Sequence, residues 1–279
     1  MRRTLQLLVV AACLHAPADT RAAASTPILV ELFTSEGCSD CPPADSVLEK
    51  LIATQPIAGV EVIGLGQHVD YWDQLGWKDR FSSAALTNRQ RIYSVRFNLE
   101  SIYTPQIVVD GRAQLVGSDG KAAAQAIARA LAAKHGLVRI DIDSDAGRPF
   151  HDSDVGRPFQ GRRDDTGEPK RVALHVTVSD LPPLGRGEHA DIIVAITEDH
   201  LRSSVTRGEN HGRTLTHAAV VRSMTTIGQA TERTGSARAE IPIAADWQRD
   251  QLKVVAFVQE QRGRAILASA ATPLQTVGR

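Results

Sequence analysis

The pair Cys38 and Cys41, two residues apart where a strand pattern gives way to a helix pattern, constrains this chain more than any other feature. Ahead of the pair, Ile28 to Phe33 reads as a buried strand, ended by Thr34-Ser35-Glu36-Gly37. Behind it, Ala44, Val47, Leu48, Leu51 and Ile52 recur at helical spacing. Pro42 and Pro43 suit a first helical turn, where amide hydrogens lack partners anyway. The sulfurs are therefore expected at a helix N-terminus, which favours negative charge by about 0.3–1 kcal/mol at exposed sites. The thiolate is the reactive form of a cysteine. Cys38 is read as the attacking sulfur, and Cys41, one turn on and less exposed, as the one that resolves a mixed disulfide. Asp40 between them opposes thiolate formation, which leaves the redox direction open.

What else the two sulfurs can do depends on the start of the chain. Arg2 and Arg3, the apolar run Leu5 to Leu14 and the small residues Ala22-Ala23-Ala24 read as a signal peptide over residues 1–24, cleaved near Ala24. A membrane span needs about 20 apolar residues, roughly twice this run, so no integral span is expected once the segment is removed. A lipoprotein-type box, Val10-Ala11-Ala12-Cys13, ranks below this reading because the apolar run before Cys13 is short. In the periplasmic or secreted protein that results, Cys38 and Cys41 have no other intramolecular partner. A loop this short constrains the unfolded chain too little to act as a staple, so the pair points to chemistry. Acidic and basic residues balance at 32 each, and neither nucleic acid nor an anionic membrane is expected as a partner.

The remaining pattern divides near Gly136. Over 25–136, Val60 to Leu65 is a second strand, a polar and aromatic stretch runs from Gln67 to Phe81, and a helix is expected over Ser82 to Arg96. Tyr103-Thr104-Pro105-Gln106 leads into a strand over Ile107 to Val109, and Asp110-Gly111 turns it into another over Ala113 to Val116. An alanine-rich helix follows over Lys121 to Lys134. This order predicts an α/β domain with a helical insertion. Over 137–279, strand patterns dominate: Leu137 to Ile142, Val172 to Ser179, Asp191 to Thr197, Leu215 to Met224, Ala237 to Ile243, Leu252 to Gln259 and Ala265 to Ala270. They predict an antiparallel β-sandwich-like second domain. Within it, residues 143–170 read as a mobile loop built on a nine-residue duplication, 143–151 being nearly copied by 152–160.

The strand–Cys-x-x-Cys–helix unit, with Thr104-Pro105 later leading into a strand and hairpin, resembles the thioredoxin superfamily. The resemblance implies a thioredoxin-like N-terminal domain, with Pro105 cis and facing the sulfurs. It makes Thr104 the substrate-facing position and protein thiols or disulfides the partners. Several longer segments are similar to DUF1223, a family of exported bacterial proteins of unknown function. They are Glu31 to Asp45, His68-Val69-Asp70-Tyr71-Trp72-Asp73, Leu75 to Asp79, Tyr103 to Gln106 and Gly208 to Leu215. That likeness lends no substrate. Cys-Ser-Asp-Cys also replaces the Cys-Gly-Pro-Cys of thioredoxin, and the Gln67–Asn98 insertion is an addition, so thioredoxin's own partners do not transfer.

His68, Asp70, Tyr71, Trp72 and Trp77 follow the second strand, and strand C-terminal ends in such sheets lie near the cysteine edge. On one reading they wall the active site, with His68 or Asp70 handling protons and Trp72 contacting substrate. On the other, Trp72 and Trp77 pack a local core while His68 caps a turn. Glu209, Asn210, His211 and Arg213 read as structural hydrogen bonding at a loop in preference to a binding surface. No Ser–His–Asp order, phosphate-binding glycine loop or His-Glu-x-x-His motif stands out. The expectation is an exported thiol–disulfide oxidoreductase acting on proteins, with no cofactor and no metal. Two alternatives stand beside it: copper(I) handling by the same cysteines with His68, and a non-catalytic thioredoxin-fold binding module of the cell envelope. Closed zinc takes four protein ligands, and the cysteines supply two.

Overall fold

A computed structural model describes residues 25–143 and 170–274. The signal segment 1–24 and the duplicated loop from residue 144 to 169 lie outside the described residues. Strand β1 (Thr26–Thr34) runs into helix α1 (Cys41–Thr54) and strand β2 (Val60–His68). A 3-10 turn (Asp73–Leu75), helix α2 (Ala84–Arg96), strands β3 (Gln106–Val109) and β4 (Ala113–Val116) and helix α3 (Gly120–Ala130) follow. The local chemistry explains the boundaries. Pro42 and Pro43 occupy the first turn of α1, which ends on Gln55 in the left-handed region. The Ser83 hydroxyl accepts from the Leu86 amide to cap α2, and Asp119 accepts from Ala122 to cap α3. Asp110 and Gly111 both have positive φ, 48° and 61°, as a two-residue hairpin turn requires.

The second half adds β5 (Leu137–Asp143), β6 (Lys170–Ser179), β7 (Ala190–Glu198), β8 (Leu201–Ser204) and β9 (Thr214–His217). It closes with β10 (Val220–Ala230), β11 (Gly235–Ile243), β12 (Leu252–Glu260) and β13 (Ile266–Pro273). This architecture overturns the expected fold class, a thioredoxin-like α/β domain with a helical insertion followed by an antiparallel β-sandwich-like domain. The described residues are mostly β, with thirteen strands against three α-helices. Strands from both halves share one mixed eight-stranded sheet, ordered β13-β12-β7-β10-β2-β1-β3-β4. A three-stranded sheet, β11-β6-β5, packs its Val172, Leu174, Val176 and Ile241 against Ile192, Val194, Val254 and Val258 of the large sheet.

The seam between the halves is specific. β10 meets β2 in parallel at Val220 and Gly66, and the Gly66 amide donates to the Ala219 carbonyl at 2.7 Å. A Cβ on Gly66 would sit 3.0 Å from the Ala218 carbonyl oxygen, so the missing side chain is what lets the strands close. One core runs under the seam, joining Leu29, Ile63 and Leu65 to Ile193, Val221, Val255, Phe257 and Ile266. A buried ion pair spans it as well. The Arg89 guanidinium on α2 grips the Glu31 carboxylate at 2.6 and 2.9 Å and gives a third bond to Gln259 of β12 at 2.9 Å. Alternate residues of β1 divide the two faces: Ile28, Val30 and Leu32 pack under α1 and α3, while Phe33 packs with Tyr93 of α2. Sequence periodicity reports faces within one segment and carries no record of which distant strand pairs with which, so the seam left no local signature.

Candidate active site

Between the end of β1 and the first residue of α1 the chain makes a tight turn, with the Cys38 amide donating to Ser35 O and the Cys41 amide to Cys38 O, both at 3.2 Å. Cys38 and Cys41 are joined as a disulfide, their Cα atoms 5.4 Å apart. The pair is closed in: Cys38 is 1% exposed and Cys41 0%. Ser39 and Asp40 form the exposed crest of the turn, and Asp40 makes no side-chain capping bond to the helix it precedes.

Beside that crest lies a cavity of about 350 Å³. Ser39, Asp40 and Pro43 line one wall, and Tyr103, Thr104 and Pro105 the other, with Val116 and Ser118 at its end. The Thr104–Pro105 peptide is cis. Pro105 is held toward α1 through Gly117, whose amide donates to the Pro105 carbonyl at 2.9 Å. A Cβ there would crowd Ala44 and Leu32 at 3.0 Å and Pro105 at 3.1 Å. Trp72 ties the two walls together: its indole N–H donates to the Thr104 hydroxyl at 2.8 Å, and its Cβ is the nearest atom to a Cβ built on Gly37, at 3.1 Å. Thr104 and Pro105 thus line the cavity together with Ser39 and Asp40, the two residues between the cysteines, while Cys38 and Cys41 lie buried in the turn and Trp72 bonds to Thr104.

His68 and Asp70 are not part of that wall. His68, 1% exposed at the end of β2, places Nδ1 2.6 Å from Asp79 Oδ2 and sets its ring edge-on to Phe81 and His217. Asp70 accepts the Thr87 hydroxyl at 2.6 Å, and its amide donates to that oxygen at 3.0 Å, which fastens the loop to α2. Trp77 donates to Glu36 Oε2 at 2.7 Å. Among the described residues no group of three or more His, Cys, Asp or Glu side chains is placed to hold a metal ion.

A buried charged cluster beneath the cysteine turn escaped the sequence reading. Glu36, two residues before Cys38, and Asp45, one turn after Cys41, flank His217 from β9, whose nitrogens lie 3.4 Å from Glu36 and 3.8 Å from Asp45. These contacts have ion-pair distances without hydrogen-bond geometry, so charge attraction carries them. Burial alone would lower the His217 pKa, but Asp45 and Glu36 overcome it and raise it to about 9. Burial and the charge of Asp79 push the Glu36 carboxyl up, yet His217 and Trp77 hold it below its ordinary value. Asp79 is likewise held low against burial by His68 and by the amides of Glu36 and Phe81.

The loop after β8 completes the turn. Asn210, fully buried, donates to the carbonyls of Glu36 and Cys38 at 3.0 and 2.9 Å, and the Glu209 carboxylate accepts the Ser39 amide at 2.9 Å. Their bonding is structural, as the sequence reading preferred, but it is spent on the cysteine turn. The only signal for Glu36 and Asp45 was their nearness in sequence to the two cysteines. His217 had no comparable signal.

Fold and site together define a mostly β protein built on one large mixed sheet, with a Cys-x-x-Cys disulfide in a turn beside a proline-walled cavity. The chain belongs to the DUF1223 family, described as a protein of unknown function, whose model matches residues 29–259. No curated protein matches the chain. Among solved structures, one from Agrobacterium tumefaciens is similar at 23% identity, with a TM-score of 0.64 over 92% of this chain and 99% of that one. HBP35 of Porphyromonas gingivalis is similar at 13% identity, with a TM-score of 0.62 over 92% of this chain and 80% of that one. Both likenesses concern the fold.

Proposed function

We propose that this is an exported enzyme of thiol–disulfide exchange, with Cys38 as the sulfur that bonds to a client protein and Cys41 as the sulfur that releases it. The supporting observation is the shared cavity, in which the cysteine turn and the Thr104–Pro105 loop form facing walls. A client segment lies in it against Thr104 and Pro105 and reaches Cys38 by pushing aside the exposed Ser39–Asp40 crest. The likeness to thioredoxins enters this proposal only as the local resemblance at Cys38, Cys41, Thr104 and Pro105. Export to the periplasm or beyond enters through residues 1–24.

Exchange then runs through a mixed disulfide: a thiolate attacks one sulfur of a disulfide, the other sulfur leaves, and Cys41 displaces the client. In Cys41→Ser the displacing sulfur is missing, so adducts accumulate. Reduced Cys41→Ser, incubated with oxidised cell-envelope proteins, is expected to give adducts on non-reducing gels that dissolve in dithiothreitol. The Cys38→Ser, Cys41→Ser double variant is expected to give none. Absence of adducts in the single variant would remove the exchange reading.

A further inference from the structure

Resting on the exchange reading, we propose a direction for it: the Cys38–Cys41 dithiol donates two electrons to disulfides in client proteins, and the disulfide is the favoured state of the pair. A turn that withholds stabilisation from a thiolate also withholds the stabilisation that would favour the reduced form, and wherever the thiolate is populated it drives the electrons outward.

Hydrogen-bond donors are the first consideration. A helix start ordinarily offers four free amide hydrogens to an anion. Here Pro42 and Pro43 remove two of them in the first turn of α1. The Cys41 amide is committed to Cys38 O at 3.2 Å, and the Ser39 amide to the Glu209 carboxylate at 2.9 Å. A sulfur anion at Cys38 is left with little to accept from.

Charge points the same way. Asp40 stands inside the motif, Glu209 on the amide of Ser39, Glu36 before Cys38, Asp45 after Cys41 and Asp79 against the Glu36 amide. Facing these five carboxylates are His217, Arg213, whose guanidinium donates to Asn210 Oδ1 at 3.0 Å, and the His68 ring against Asp79. Arg80 and Arg222 lie further out, over the Phe81 ring, and the charges bonded to or standing within the Cys38–Cys41 turn itself, Asp40 and Glu209, are both negative and oppose a negative sulfur. Burial adds to that opposition, since the two residues are 1% and 0% exposed and a neutral disulfide tolerates that better than a thiolate does.

The step balances as follows. The Cys38 thiolate attacks one sulfur of the client disulfide, that S–S bond breaks, and the second client sulfur leaves as a thiolate. Cys41 gives up its proton, its sulfur attacks Cys38, and the first client sulfur leaves. The client takes two electrons and two protons, and the Cys38–Cys41 bond forms. A protein dithiol of the same compartment resupplies the electrons by the reverse exchange.

The test compares the exported protein with its Asp40→Asn, Glu209→Gln variant in glutathione redox buffers at low salt, together with the pH profile of Cys38 alkylation. Both residues are at the surface, and glutamine keeps an acceptor for the Ser39 amide, so the variant isolates charge. The wild-type alkylation rate is expected to keep climbing through about pH 8.5, the range of a free thiol. At about pH 9.5, where the reduced pair carries a thiolate, the variant's equilibrium is expected to move about two- to fivefold toward the dithiol, and less at high salt. Alkylation already maximal below pH 7, or an equilibrium unmoved or displaced toward the disulfide, would overturn the direction. Failure of the exchange reading shows elsewhere, as missing Cys41→Ser adducts, while the glutathione equilibrium stays measurable.

Discussion

His217 carries the strongest electrostatic signature beneath the disulfide, a buried imidazolium between two carboxylates. Its folded-state pKa of about 9 exceeds the ordinary 6.5. The stabilisation is therefore complete below about pH 6.5 and drains away as pH rises through 9. Glu36 and Asp79 are held below their ordinary values, so their contribution is lost in the opposite direction, as pH falls. Allowing for the loose ion-pair geometry, the His217 contribution is about 2 kcal/mol. Denaturant unfolding should find His217→Gln destabilised by that amount at pH 6, with the gap to wild type closing by pH 10. A gap that stays constant across that range would remove the charged role. Trp72 makes a different residue-scale case, because its indole N–H fixes the Thr104 hydroxyl at the cavity wall. Trp72→Phe keeps an aromatic ring and loses that donor, a change of about 1 kcal/mol. Exchange with a protein disulfide should slow more than melting shifts. A lost Tm with unchanged exchange would make Trp72 a packing residue alone.

At the level of elements, the parts nearest the cysteines were the most legible. The apolar run of β1, the i, i+3, i+4 spacing of Ala44, Val47, Leu48 and Leu51 in α1, and the Asp110-Gly111 turn all read correctly because each is set by chemistry within a few residues. The strand β8 went unread: four residues alternating buried and exposed give too short a period to register. Its partner β9, expected only as the start of one strand over Leu215 to Met224, delivers His217, and the loop between them, expected to bond structurally, delivers Glu209 and Asn210 to the cysteine turn. Asn210 is the element's main anchor on the cysteine turn. Asn210→Ala leaves two buried carbonyls without their donor and should cost about 1–3 kcal/mol. It should also speed reduction of the Cys38–Cys41 disulfide by dithiothreitol, because the turn loses the clamp on Cys38 O. An unchanged reduction rate would separate the loop from the site.

Across the whole molecule, the chain that reads as two patterns folds around one sheet. The seam at Gly66 and Val220, the shared core under it and the Arg89–Glu31–Gln259 bonds give each half contacts it lacks alone. A fragment of residues 25–136 would expose the β2 edge and Leu29, Ile63 and Leu65, and is expected to show no cooperative unfolding transition, whereas the full chain shows one. A sharp, independent transition in the fragment would contradict a single cooperative unit. The same architecture places the cysteine turn at one end of the large sheet, with groups from both halves locking it. The most direct test is the second-order rate of reduction of an unfolded, disulfide-bonded protein, measured for the reduced chain beside a ten-residue peptide spanning Glu36 to Asp45. The account predicts that the folded chain reacts far faster than the peptide and that Cys38→Ser abolishes the difference; equal rates for chain and peptide would contradict it.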